Sequence, residues 1–205
     1  MGSLMRDVRQ KMNPAAKCLI LFLSGFVVCP ALMVLHELRH YAAGSGLGFK
    51  ATLHYGATTW SAAEEKSMPQ AAALAVSAGP LGDAVLAGAG LLWLYRLRLH
   101  RREAAPTLVD WLATILAVQA GRWLRGFTGP PSNPQPPDEA FISQALGMPA
   151  WLLPYLLALL CLIPLGAIVR LHPPGARLLP FTCLIVGACA GGLVWLTLLG
   201  RFLLP

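Results

Sequence analysis

The chain has 205 residues and a formal net charge of +7, and its composition is strongly apolar. Apolar residues make up 56% and charged residues only 12%, whereas soluble globular domains carry about 25% charged residues. With a mean hydropathy of +0.60, these values exclude an ordinary soluble domain and indicate an integral membrane protein. The basic residues lie in short segments at the ends of apolar runs, so we expect no nucleic-acid partner.

Four long apolar segments can each cross a bilayer core, which takes about 20 helical residues. They are residues 18–35, 71–95, 148–169 and 178–200. A fifth segment, 107–121, is shorter and contains Asp110, so it fits either a span or a re-entrant or interfacial helix. We predict an all-α multi-pass membrane protein with about five transmembrane helices.

The chain divides into a basic N-terminal tail (1–17), a core (18–169), and a final loop with a C-terminal transmembrane helix (170–205). With five spans, the loops on the side of the N-terminus carry about twice as many Lys and Arg residues as the opposite side, which predicts a cytoplasmic N-terminus. A composition rich in Ala, Leu, Gly and Pro is compatible with a bacterial inner membrane, where we expect the protein.

Two connecting segments have compositions that predict their structure. After the glycine-rich run 44–48, residues 49–60 roughly alternate between apolar and polar side chains, which predicts a short β-hairpin after the first transmembrane helix. Because lipid tolerates no open sheet edge, this hairpin must lie at the interface or against protein. Residues 129–139 contain five prolines and cannot form a regular helix.

The segment His36-Glu37-Leu38-Arg39-His40 matches the pattern H-E-x-x-H. On a helix the two histidines lie on one face, one turn apart, where their imidazoles can bind one Zn²⁺. Glu37 can then serve as general base toward a water at the metal. The motif lies near the C-terminal end of a membrane helix, where ionisable groups are costly unless they are paired or ligated. The alternative is that the helix has already reached the interface and these residues are solvated.

A catalytic zinc site takes three protein ligands and leaves one position open, so a third ligand must come from elsewhere. The acidic and histidine candidates are Asp138, Glu139, Asp83, Asp110 and His54. With five spans, the end of the first, the start of the second and the loop before the fourth face the same side of the membrane. His36 and His40 can therefore converge with Asp83 and Asp138, whereas Asp110 starts the third span at the opposite face.

The second span contains the run Ala78-Gly79-Pro80-Leu81-Gly82-Asp83. Gly79 and Pro80 inside a membrane helix either let a neighbouring helix approach closely or form a packing kink. A lone carboxylate at this depth is costly, which indicates a function for Asp83.

At these residues the sequence resembles the site-2 protease family of intramembrane zinc metalloproteases, in a minimal form without an inserted soluble domain. The resemblance covers roughly residues 18–150. It rests on three elements: H-E-x-x-H followed by small residues, the Ala-Gly-Pro-x-x-Asn-like run 78–83, and the proline-rich approach to a carboxylate at 133–138. The chain departs from the family pattern at Arg39, where Gly is frequent, and at Asp83, where Asn is expected. In the third element Asn133 is only five residues from Asp138, and Glu139 replaces Gly.

The resemblance implies three core helices around one zinc ion, held by His36, His40 and one aspartate. Glu37 would be the base that hydrolyses a peptide bond of a membrane-embedded or membrane-adjacent protein substrate. The resemblance identifies residues 18–169 as a metalloprotease-like core and Asp138 as the expected third ligand. Asp83 and Glu139 are the alternatives for that ligand.

The resemblance also implies where a substrate binds. We expect Gly79, Pro80 and Asp83 to be substrate-binding residues, and the hairpin would lie beside the path by which the substrate enters.

Two other functions stay open. One is a non-catalytic membrane scaffold of the same fold, which the departures at Arg39, Asp83 and the third element favour. The other is a transporter that uses the intramembrane His and Asp side chains as an ion or proton relay. Five spans without an internal repeat argue against the transporter.

Overall fold

The computed structural model describes residues 13–101, 104–128 and 137–204, most of which are helical. Four helical stretches are long and apolar enough to cross a membrane: Pro14–Gly46, Pro69–Arg98, Leu152–Leu171 and Pro174–Leu203. They correspond to the four long spans predicted from hydropathy and support an all-α protein of membrane type. Most of the predicted basic tail and of the proline-rich segment 129–139 lies outside the described residues.

In chain order the helices and strands are α1 (Pro14–Gly46), β1 (Thr52–Leu53), β2 (Thr58–Thr59), α2 (Ala62–Ser67), α3 (Pro69–Arg98), α4 (Leu108–Ala117), a long 3₁₀ helix (Val118–Thr128), α5 (Asp138–Ala145), α6 (Leu152–Leu160), α7 (Leu162–Leu171), a 3₁₀ turn (Pro174–Ala176), α8 (Leu178–Val194), a π-helical turn (Trp195–Leu199) and α9 (Gly200–Leu203). The third candidate span combines α6 and α7, and the fourth runs from the 3₁₀ turn through α9.

Helix α1 extends beyond both ends of the apolar segment 18–35 and contains the motif that we predicted near its C-terminal end. It starts after Asn13, whose side chain accepts a hydrogen bond from the Ala15 backbone N–H at 3.0 Å and so satisfies one of the free donors of the first turn. It ends at the glycine-rich run, where Gly48 has a φ of +95°, a backbone conformation that glycine adopts without strain. The whole H-E-x-x-H motif therefore lies within one continuous helix.

Helices α1 and α8 pack with their backbones in contact. A Cβ atom added at Gly187 would meet the backbone carbonyl oxygen of Phe22, and one added at Gly191 would meet that of Phe26. On the α1 side, a Cβ at Gly25 would meet the carbonyl oxygen of Leu184. Small residues at such a crossing let helices in a membrane approach closely, and this contact joins the first and last spans.

The segment predicted as a fifth span, 107–121, is not one continuous α-helix. Thr107 and Asp110 form a capping box that starts the 10-residue α4, and the 11-residue 3₁₀ helix follows directly. Together these helices would extend roughly 37 Å, more than the ~30 Å of a bilayer core. Asp110 lies 3.9 Å from Arg101 at one end, and Arg122 contacts Asp83 at the other. The segment therefore runs antiparallel to the C-terminal half of α3, from Arg101 toward Asp83, which contacts His36 of the H-E-x-x-H motif.

The predicted hairpin is confirmed. Strands β1 and β2 pair antiparallel, with Thr52 opposite Thr59 and Leu53 opposite Thr58. The hairpin lies against protein on both sides. The Thr58 hydroxyl donates to the Glu37 carbonyl oxygen at 2.7 Å, and the Trp195 indole N–H donates to the Tyr55 carbonyl oxygen at 2.7 Å. These bonds fasten the hairpin to α1 and to the last span.

The contact between α1 and α8 predicts the stability of glycine variants. Gly187→Ala places a methyl group against a backbone carbonyl that cannot rotate away, so we expect a loss of about 1–3 kcal/mol. Gly166→Ala in α7 is the control, because a Cβ there meets no atom within 4 Å. Thermal unfolding of the detergent-solubilised protein measures both, and equal midpoints would contradict the close helix contact.

Candidate metal centre

Two helices, α1 and α5, bring His36, His40 and Asp138 together. The two histidines come from α1 and are 1% and 5% exposed, and Asp138 is the first residue of α5. Nε2 of His36 lies 2.9 Å from Nε2 of His40 and 3.0 Å from Oδ2 of Asp138. The distance from Nε2 of His40 to the same oxygen is 3.4 Å. These three residues form the one group of potential metal ligands found among the described residues.

The hydrogen bonds on the opposite side of each ring determine the tautomers. Nδ1 of His36 lies 2.8 Å from Oδ2 of Asp83, and Nδ1 of His40 lies 3.0 Å from the carbonyl oxygen of Ala75. A carboxylate and a carbonyl oxygen only accept hydrogen bonds, so both Nδ1 atoms donate. A neutral imidazole has a single N–H, and both Nε2 atoms therefore present lone pairs to Asp138.

Two imidazole lone pairs and a carboxylate oxygen meet at one point, so their electron density requires a positive charge there, either a proton or a metal ion. Donors bonded at about 2.0–2.1 Å around a tetrahedral ion are about 3.4 Å apart, and the observed separations of 2.9–3.4 Å are close to that value. Two imidazoles and a carboxylate with one position left over form the donor set of a catalytic metal site. The residues therefore fit a metal ion.

Asp138 is well suited to ligate an ion. It follows Pro137, which has an extended backbone, and lies in the first turn of α5, where the helix dipole favours a negative charge. Burial raises the pKa of Asp138, but hydrogen bonds that its carboxylate accepts from the His36 and His40 rings, when a ring holds the proton of the cluster, outweigh this effect and hold its pKa well below the usual value. The side chain is therefore ionised at neutral pH.

Asp83 lies behind His36, on the side of the ring away from the three-donor cluster. Its Oδ2 accepts hydrogen bonds from Nδ1 of His36 at 2.8 Å and from Nη1 of Arg122 at 2.6 Å. Its Oδ1 accepts from Nη1 of Arg39 at 2.8 Å. A carboxylate in this place orients a ligand imidazole and increases its basicity. Asp83, an alternative third ligand and an expected substrate-binding residue, contacts Nδ1 of His36 and does not reach the point where the three donors meet.

Gly79 is the point at which α3 approaches the two histidines. A Cβ added there would meet Nε2 of His40, and it would lie 2.5 Å from Cε1 of His36. A side chain at this position would displace the imidazoles, so the glycine lets the two helices approach closely. Helix α3 continues through Pro80, which is buried.

The other candidate ligands lie outside the cluster. Glu139 is buried in α5, at 2% exposure. Asp110 belongs to the capping box of α4, and Nε2 of His54 lies 3.1 Å from the Thr59 hydroxyl within the hairpin. Of the predicted alternatives, Asp138 is the carboxylate that meets the two Nε2 atoms.

A cleft of about 430 Å³ opens beside the cluster. Glu37 is half-buried and lines it. The other lining residues come from the hairpin, α1, α2, α3, the long 3₁₀ helix and α5: they are 56–60, His40, Glu65, Val76, Arg122, Pro137, Asp138 and Phe141. The cleft thus exposes the predicted base and two of the three candidate ligands to one space.

Sequence reasoning missed the roles of two arginines. Arg39 has a sequence signal, because it is a charged residue within the motif. Its side chain packs against Gly82, where a Cβ atom would meet it. Arg122 carries no local signal, because only folding brings the long 3₁₀ helix to Asp83, 39 residues earlier in the chain.

The approach of α3 to the imidazoles predicts a metal-binding defect. In Gly79→Ala the added methyl group displaces His36 and His40, so we expect the purified protein to lose its bound metal. Gly88→Ala in the same helix is the control, because a Cβ there meets no atom within 4 Å. Elemental mass spectrometry measures metal per chain, and retention by Gly79→Ala would contradict the geometry.

No protein-family model matches the chain, no curated protein matches it, and no solved structure matches it. The function of the site is therefore inferred from its own geometry and from the motif residues.

Proposed function

We propose that the protein is a zinc-dependent intramembrane endopeptidase that hydrolyses peptide bonds of membrane-embedded or membrane-adjacent proteins. The observation that carries this proposal is the meeting of two Nε2 lone pairs with a carboxylate oxygen, beside Glu37 in one cleft. The resemblance of the motif residues to site-2 proteases supports the same function.

His36, His40 and Asp138 would hold the zinc ion, a metal that imidazole and carboxylate ligands suit. When bound, zinc supplies Lewis-acid chemistry that activates water and polarises a carbonyl group. Asp83 and the Ala75 carbonyl keep both rings in the ligating tautomer.

Glu37 would be the general base. It follows His36 in α1 and lines the cleft together with Asp138. Its backbone carbonyl is bound by the Thr58 hydroxyl at 2.7 Å, so the hairpin helps to hold this turn of the helix. Glu37 would take the proton of the attacking water and later deliver it to the leaving amine.

The hairpin provides the boundary of the substrate path. A transmembrane substrate is helical, and its backbone groups are bonded to one another, so it must unwind locally before it can be cut. Residues 56–60, which include β2, line the cleft next to Glu37 and Asp138. An unwound segment that enters this cleft would pass between the hairpin and α5.

The setting of the site agrees with a membrane substrate. The ligands belong to or adjoin helices that can cross a bilayer, and we propose a bacterial inner membrane as the location. Two of the departures that favoured a non-catalytic scaffold, Arg39 and Asp83, form an ion pair with each other at 2.8 Å, and they leave the three donors together. The scaffold and the transporter remain alternatives for the experiment below.

We expect Glu37→Gln to reduce cleavage of membrane-tethered substrates by about 10²–10⁴-fold while zinc stays bound, because the base is lost and the ligands are kept. Asp138→Asn and His36→Ala should lose both zinc and cleavage. Cleavage assays and zinc analysis of the purified variants measure this. The matched control is Glu64→Gln, since Glu64 lies in the exposed capping box of α2, where glutamine also serves.

Each alternative function gives a different result in the same assays. A scaffold would hold zinc, and neither the wild type nor any variant would cut the substrates. A relay transporter would keep its transport in sealed vesicles after chelation of zinc. Cleavage by the Glu37→Gln variant at the wild-type rate would contradict the role of Glu37 as general base.

A further inference from the structure

Arg122 brings a positive charge to the cleft. It belongs to the long 3₁₀ helix and lines the cleft together with Glu37, His40 and Asp138. Among the described residues that line this cleft, Arg122 is the only arginine or lysine. Its side chain is 26% exposed, so part of the guanidinium group is accessible to a molecule in the cleft.

The position of this guanidinium group is well defined. Nη1 of Arg122 donates to Oδ2 of Asp83 at 2.6 Å, and the same oxygen accepts from Nδ1 of His36 at 2.8 Å. One oxygen atom of Asp83 thus links Arg122 to the ring of a candidate metal ligand. Anchored groups of this kind stabilise charge effectively because they need not reorganise during the reaction.

Asp83 does not neutralise both of its arginine partners. Arg39 binds its other oxygen, Oδ1, at 2.8 Å, so two guanidinium groups share one carboxylate. Arg122 also has five N–H donors in a planar fork, of which the contact with Asp83 uses Nη1. Positive charge and hydrogen-bond donors therefore remain for a ligand in the cleft.

Peptide hydrolysis has a step that needs such a group. The water oxygen bonds to the carbonyl carbon, the C=O π electrons move onto the carbonyl oxygen, and the water proton passes to Glu37. The electron pair then returns, the C–N bond breaks, and Glu37 delivers its proton to the amine nitrogen. The carbonyl oxygen carries its negative charge only between these two events, so a cation placed there accelerates the reaction.

We propose that Arg122 is a catalytic residue whose guanidinium N–H groups bind the carbonyl oxygen of the scissile peptide bond and stabilise its negative charge. This inference rests on the proposed peptidase function. The competing explanation is that Arg122 only positions Asp83, as Arg39 does from the other carboxylate oxygen. The comparison of these two arginines separates the explanations.

The experiment uses the full chain, purified in detergent and loaded with zinc, as wild type, Arg122→Gln, Arg122→Lys and Arg39→Gln. The probe is a phosphinic peptide of alanine and leucine residues, whose tetrahedral anionic group mimics the transition state. Calorimetry gives its Kd, zinc competition gives the metal affinity, and cleavage of a tethered substrate gives kcat and KM. Arg170→Gln controls for the loss of a charge, because Arg170 is an exposed residue of α7 that does not line the cleft.

We expect Arg122→Gln to weaken phosphinic peptide binding and to lower kcat, each by about 10²–10³-fold, the usual effect of removing one such donor. KM should change little, and the zinc affinity should fall no further than in Arg39→Gln. Arg122→Lys should restore part of both losses, because the charge remains while the planar fork is absent. Arg170→Gln should behave as the wild type.

Equal losses in Arg122→Gln and Arg39→Gln would overturn the inference, because Arg122 would then act only through Asp83. A rise in KM at unchanged kcat would also overturn it. Failure of the peptidase proposal has a different result: wild-type protein that holds zinc but neither binds the phosphinic peptide nor cuts the substrate. That result would end both proposals. If the wild type binds the phosphinic peptide and Arg122→Gln binds it equally well, only the proposal about Arg122 fails.

Discussion

The structure depends on three electron-pair donors that face one another inside apolar helices. Lone pairs of His36 and His40 meet an oxygen of Asp138 within 3.4 Å, an arrangement that is unfavourable without a positive charge between them. The neighbouring residues maintain this arrangement. Asp83 and the Ala75 carbonyl fix the ring tautomers, and Gly79 leaves the space that the imidazoles fill.

The surrounding charges form a connected set, and this set explains how so many ionisable groups are accommodated among apolar helices. Asp83 is 2% exposed and contacts Arg39, Arg122 and His36. Removal of one partner of a buried pair leaves an uncompensated charge, which is strongly destabilising. Arg39 and Asp83, which both depart from the pattern of the family the motif resembles, therefore compensate one another.

Much of the fold was predictable because lipid imposes simple rules on composition. The four long apolar segments are long helices, and the alternating segment after the first is a hairpin. The segment 107–121 was less predictable, because hydropathy does not distinguish one continuous α-helix from the short α-helix followed by a 3₁₀ helix that is observed there. The apolar segment 18–35 is shorter than α1, since hydropathy reports the apolar stretch and not the end of the helix, which lies at the glycine-rich run.

The sequence by itself determined the pairing of His36 with His40 and the place of Glu37 beside them. These follow from the pitch of a single helix, which brings residues four apart to one face. Only the tertiary structure decided that Asp138 completes the cluster, that Asp83 holds the far side of His36, and that Arg122 reaches the cleft. Asp138 is 102 residues from His36 in the chain. Contacts at such separations depend on how the helices pack against one another, and local sequence patterns do not encode that packing.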